Sequence, residues 1–172
     1  DATGNLRSLA DVAGIGRNFD YDGRGNLTAT TVAWVNPDNT NDVRSVALQA
    51  AYDDASQLTN LVDARGLSTI TTFDRVGRVS ASTDPQGRVT KYAYDARGNR
   101  VNTGYADGAL SESVYDENSR LVVSVDRHAA GQPANGTRFV YDAVGRLVRT
   151  ERWSDVRVNL VAVTNSQEVT VT

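Results

Sequence analysis

The feature that most constrains this chain is a short motif repeated in register. An aromatic residue followed by Asp recurs as Tyr21-Asp22, Tyr52-Asp53, Phe73-Asp74, Tyr94-Asp95, Tyr115-Asp116 and Tyr141-Asp142. Three positions after each Asp stands Gly or Ser: Gly25, Ser56, Gly77, Gly98, Ser119 and Gly145. Next comes Asn26, Gln57, Arg78, Asn99, Arg120 or Arg146, and then Leu27, Leu58, Val79, Arg100, Leu121 or Leu147. Residues 52, 73, 94 and 115 are each 21 apart. A chain with such a period builds one supersecondary unit many times rather than one irregular core.

A weaker Asp-x-x-Gly signal falls halfway between these motifs, at Asp63 with Gly66 and at Asp84 with Gly87; Tyr105 takes the Asp place before Gly108, and Asp126 opens a fourth. The unit is therefore turn, strand, turn, strand. Asp at the first turn position accepts hydrogen bonds from the amides that follow it. Gly three positions on supplies the positive φ that returns the chain into an antiparallel strand. Between turns the pattern alternates, as with Thr90, Tyr92 and Tyr94 on one face and Val89, Lys91 and Ala93 on the other. No segment has a helical period with caps. The expected fold is all-β: roughly a dozen strands of about six or seven residues in tandem antiparallel hairpins.

Two intervals exceed the period. Extra residues fall near 35–41 and 129–136, both at the halfway turn, so longer loops are expected along one edge. The domain reading is a partial repeat array over residues 1–153, then further strands of degenerate repeat over 154–172. Asp11 to Gly14 fits a halfway turn. Asp1 to Gly4 fits the turn before it, with the aromatic lying upstream of residue 1. With Asp1 first and no Met, the chain is expected to be a processed or excised piece.

These motifs resemble the YD repeat of the Rhs family. The resemblance covers about residues 1–152, with one departure at Arg100. It implies a continuous twisted or spiral sheet, a segment of a larger hollow shell. In bacterial members and toxin-complex C components such a shell encloses a toxic C-terminal segment; in teneurins a similar shell is an adhesion scaffold. The implied partners are the rest of the same shell polypeptide and an enclosed toxin segment, or another copy through exposed strand edges. The implied location is secreted or cell-surface and bacterial, with any signal or delivery module outside this segment. Asp84-Pro85-Gln86-Gly87-Arg88 has a superficial likeness to the family's self-cleavage motif. Arg88 stands where Leu is expected and Val79 where an upstream Pro would be, so a plain turn is expected, with Pro85 presetting φ.

The residues offer little chemistry. There is no Cys, hence no disulfide or thiolate metal site. The net charge of -3 argues against a nucleic-acid binder dominated by phosphate contacts, and no apolar run is long enough for a membrane helix. His128, the one histidine, is expected in the inserted loop, without a nucleophile partner. Residues 38–42 lack the Gly and Glu of a calcium loop. Asn26-Leu27-Thr28 and Asn135-Gly136-Thr137 are formal glycosylation sequons, expected to be coincidental. The chain is thus expected to have no enzymatic activity, cofactor or metal. Its working parts are the turn residues and a ladder of the six aromatics. Arg78, Arg88, Arg97, Arg120 and Arg146 are expected to pair with nearby aspartates or remain solvated. The rival expectation is an extracellular adhesin or carbohydrate-binding module using residues 36–41, 129–136 and exposed aromatics.

Overall fold

A computed structural model describes residues 4–10, 15–36, 38–159 and 168–171. All regular structure among them is β-strand. The chain divides into two units, Asp1–Gly87 and Arg88–Thr172. The first holds β1 (Ser8–Ala10), β2 (Ile15–Tyr21), β3 (Leu27–Asn36), β4 (Asn39–Tyr52), β5 (Leu58–Val62), β6 (Ser68–Phe73) and β7 (Val79–Thr83). The second holds β8 (Val89–Tyr94), β9 (Arg100–Gly104), β10 (Ala109–Tyr115), β11 (Leu121–Ala129), β12 (Ala134–Tyr141), β13 (Leu147–Asn159) and β14 (Glu168–Val171).

Within each unit every strand pairs antiparallel with its neighbours in chain order, a meander of hairpins. The register slips by one residue at the end of each aromatic–Asp strand: between Asp20 and Tyr21, Ala51 and Tyr52, Thr72 and Phe73, Ala93 and Tyr94, Val114 and Tyr115, and Val140 and Tyr141. This is the bulge that a left-handed residue at the end of a type I turn produces.

Burial is uneven. Every fully buried residue among those described lies in the second unit. There Val114, Val123, Val125, Ala134 and Val156 form a cluster, with Val122 and Trp153 packed against it. Gly136 sits inside this packing: a Cβ there would stand 3.0 Å from the Ser124 carbonyl oxygen and 3.2 Å from a Val156 methyl. The first unit is a half-exposed sheet, and Leu9, Val46, Leu48, Leu61 and Ile70 are all more than 40% exposed.

Three local expectations need correction. The extra residues near 35–41 and 129–136 lengthen hairpins rather than form loops. β3 and β4 run 10 and 14 residues and pair up to Asn36 with Asn39. In the second case only a tight turn from Ala129 to Gln132 remains, closed by the Gln132 amide on the Ala129 carbonyl, before β12 begins at Ala134. Strand pairing satisfies backbone groups that a long loop would leave to water. Asp126 opens no turn; it lies within β11, and its carboxylate takes a hydrogen bond from Arg152. His128 likewise lies in β11, not in a loop. The expected turn from Asp11 to Gly14, the turn aspartate Asp1 and the side chains of residues 39–42 lie outside the described residues.

Candidate functional site

Each aromatic–Asp turn is built around one carboxylate. The Asp22 amide donates to the Asn26 carbonyl at 2.9 Å, and the Gly25 amide donates to the Asp22 carbonyl at 3.1 Å. One Asp22 carboxylate oxygen accepts the amides of Arg24 and Asn26, both at 2.9 Å. The same pattern recurs at Asp53, Asp74, Asp95, Asp116 and Asp142. The residue three positions on has positive φ in every copy, including the two serines, Ser56 at 60° and Ser119 at 59°. The halfway turns at Asp63 and Asp84 are closed the same way. Asp84-Pro85-Gln86-Gly87 is therefore an ordinary turn, with Gly87 at φ 79°.

In five of the six turns the second carboxylate oxygen is held by the residue four positions on. Asn26 and Asn99 donate through Nδ2 to Asp22 and Asp95 at 2.9 Å. Arg78, Arg120 and Arg146 donate through Nε to Asp74, Asp116 and Asp142 at 2.7, 2.6 and 2.8 Å. The Asn26 side chain first, then backbone amides, hold Asp22 below the usual carboxylate range. The amides of Arg78, Arg120 and Arg146, with those arginines' side chains, lower Asp74, Asp116 and Asp142. Asp95 is the most enclosed of the set; desolvation opposes ionisation there, but the Asn99 side chain and amides outweigh it.

That same fourth position reaches beyond its own turn. Asn26 Nδ2 also donates to Ser56 Oγ at 3.0 Å, and Asn99 Nδ2 to Ser119 Oγ at 3.1 Å. Gln57 Nε2 donates to the Gly77 carbonyl at 2.9 Å. Arg120 lies with its guanidinium carbon 4.8 Å from the Tyr141 ring centre, and a Cβ on Gly145 would stand 3.2 Å from its Nη1. Three of these turns are thus hydrogen-bonded to the left-handed residue of the next aromatic–Asp turn in their unit, and the side chain of Arg120 lies beside that of a fourth.

The aromatics serve the same direction. All six are half-buried. Tyr52 Oη donates to the Leu27 carbonyl at 3.1 Å and Tyr141 Oη to the Leu121 carbonyl at 2.9 Å, each fastening its ring to the turn before. The ladder expected of these residues is therefore, at these two positions, a hydroxyl-to-backbone contact. Phe73, lacking the hydroxyl, can supply only the ring. The turn-to-turn donor was missed in the sequence, although the signal was present: five of the six fourth positions are Asn or Arg and the sixth is Gln, all with side-chain N–H groups.

The remaining candidates are quieter. Asn26, the first sequon residue, is committed to Asp22 and Ser56, and Asn135 is exposed on β12. Arg127 bonds Asp107 and covers the Tyr105 ring at 4.3 Å. His128 is largely buried beside Glu112. Among the described residues no helix is long and apolar enough to cross a membrane.

The turns, bulges and pairing order define a protein class: a tandem β-hairpin array stitched along its turns. Comparison with known proteins agrees. Residues 73–110 match the family model described as RHS Repeat. No curated protein matches. Among solved structures, the chain is similar to the Photorhabdus luminescens Tc holotoxin pore carrying a TccC3 mutation, at TM-score 0.68 and 16% identity over 87% of this chain. It is equally similar to the crystal structure of TcdB2-TccC3, at TM-score 0.68 and 16% identity over 88%. For TcdB2-TccC3 without its hypervariable C-terminal region the TM-score is 0.66, with 16% identity over 98%. The chain spans 8 to 10% of the length of those chains. The chain carries an RHS repeat at residues 73–110 and shares the fold of those TccC3-containing structures.

Proposed function

We propose that this chain is a wall segment of an Rhs-type shell that encloses a C-terminal toxin segment and holds it apart until delivery outside the producing cell. The role is mechanical, and no catalytic group enters it. The observation that carries the reading is the turn-to-turn stitching: within each unit one repeat specifies where the next begins. The similarity to chains of TcdB2-TccC3 complexes supports it at the level of fold. The partners in this reading are the rest of the same polypeptide and the enclosed segment. Limited proteolysis of the full natural polypeptide tests it. A downstream segment protected in the wild type and cleaved in an Asp95→Ala, Asp116→Ala double variant supports enclosure. A downstream segment cleaved equally fast in both refutes it, and micromolar glycan binding in its place would favour an adhesin.

A further inference from the structure

Among the described residues, the buried face of the second unit holds one carboxylate, Glu112 on β10, 8% exposed. In register beside it stand Asn102 of β9 and Val125 of β11. Between Leu110 and Glu112 the pairing with β11 is irregular: Leu110 faces His128 and Glu112 faces Val125, so Asp126 and Arg127 together oppose Ser111. This bulge places His128 on the face of Glu112, with Nε2 3.6 Å from the carboxylate and the imidazole 11% exposed.

The imidazole is oriented by its other nitrogen. His128 Nδ1 lies 2.9 Å from the Asp126 carbonyl oxygen, which can only accept, so Nδ1 carries the hydrogen. Nε2 then meets Glu112 as a bare lone pair unless a proton lies on one of the two. The other charged groups nearby have partners of their own. On β11, Asp126 is bonded by Arg152 and Arg127 by Asp107. On β12, Arg138 lies against Glu151 and Trp153 of β13. Lys91 of β8 is exposed and stands in register with Gly104. From β12 and β13 the face is completed by Gly136 and Val156, neither of which can solvate a charge.

We propose that the Glu112–His128 pair is a proton-controlled latch on the β10–β11–β12 hairpins: protonated it holds the bulge shut, and loss of the proton loosens these strands. Burial pushes the Glu112 carboxyl above its ordinary range, and the charge of His128 only partly offsets this. A carboxyl raised on folding stabilises the fold while it is protonated. That contribution is lost as pH rises through the raised value.

Amide hydrogen exchange of the 172-residue chain tests this, comparing wild type with Glu112→Gln at matched pH. Glutamine keeps the shape and removes the ionisation. Across peptides of residues 109–141 the opening of wild type relative to the variant should increase with pH, by about tenfold for each unit by which the carboxyl is raised. A ratio independent of pH overturns the proposal. Carbon NMR of the Glu112 carboxyl in the wild type decides the matter without a variant. A titration midpoint above the ordinary glutamate range supports the latch, and one at or below it overturns it.

Discussion

Asn99→Ala isolates the stitching. The side-chain amide of Asn99 donates to the carboxylate of its own turn, Asp95, at 2.9 Å and to Ser119 Oγ of the next turn at 3.1 Å. A net hydrogen bond to a charged acceptor contributes about 1.5–3 kcal/mol and one between neutral groups about 0.5–1.5. Asp95 is half-buried and Ser119 exposed, so solvent replaces part of each bond, and the expected loss is about 1–2 kcal/mol. Asn118→Ala, an exposed neighbour whose backbone amide alone engages Asp116, should cost under about 0.5 kcal/mol. Urea denaturation of these variants, of Ser119→Ala and of the Asn99→Ala, Ser119→Ala double variant completes a thermodynamic cycle. The two sites should couple by about 0.5–1 kcal/mol. A coupling energy indistinguishable from zero would refute the claim that the fourth turn position ties one repeat to the next.

Gly77→Val and Gly98→Val should lower stability by about 1–3 kcal/mol, since a β-branched residue is poorly accommodated at φ of 85° and 93°, whereas Arg97→Ala should cost about 0.5 kcal/mol or less; equal denaturation midpoints would contradict this. Gly136→Val should cost about 1–3 kcal/mol or more by overpacking against the Ser124 carbonyl and Val156, and a thermal midpoint equal to wild type would show that this site yields. The carboxyls of Asp22, Asp74, Asp95, Asp116 and Asp142 are lowered on folding, so their stabilisation is full above the ordinary carboxylate range and is lost as pH falls through the lowered values. Urea midpoints should therefore fall on acidification, and less steeply in Asp116→Asn; parallel profiles would argue against it.

The hairpin array was legible because its signals are local. Asp22 to Asn26 and its copies fix their own turns through bonds spanning at most four residues, and such bonds recur wherever the motif does. What escaped depended on pairing between strands. Nothing near His128 in sequence announces Glu112, 16 positions earlier, because a bulge spanning Asp126 and Arg127 brings them together. Asp126 carried the composition of a turn, yet its neighbours pair with β10 and β12, and a strand that satisfies its backbone on both sides outweighs one residue's turn preference. The residues near 35–41 were misjudged for the same reason. Their turn-rich composition fits the tip of a hairpin, but only the pairing of β3 with β4 shows how short that tip is.

Both lengthened hairpins also show why this motif accepts added residues at the tip away from its aromatic–Asp turns. The Asn26–Ser56 bond joins residues 30 apart in sequence, and the Asn99–Ser119 bond joins residues 20 apart, yet the distances are 3.0 and 3.1 Å. The ten additional residues lie in the β3–β4 hairpin, between the two turns that Asn26 and Ser56 join. They extend that hairpin at its far tip, and the Asn26–Ser56 bond between the two turns is kept. A further five residues lie between Tyr115 and Tyr141, and there too the Arg120–Tyr141 and Tyr141–Leu121 contacts are kept. An insertion inside an aromatic–Asp turn would instead break its carboxylate's bonds to the second and fourth amides and move the donor that reaches the next repeat. The turn edge is therefore where register is set, and the opposite edge is where length can vary.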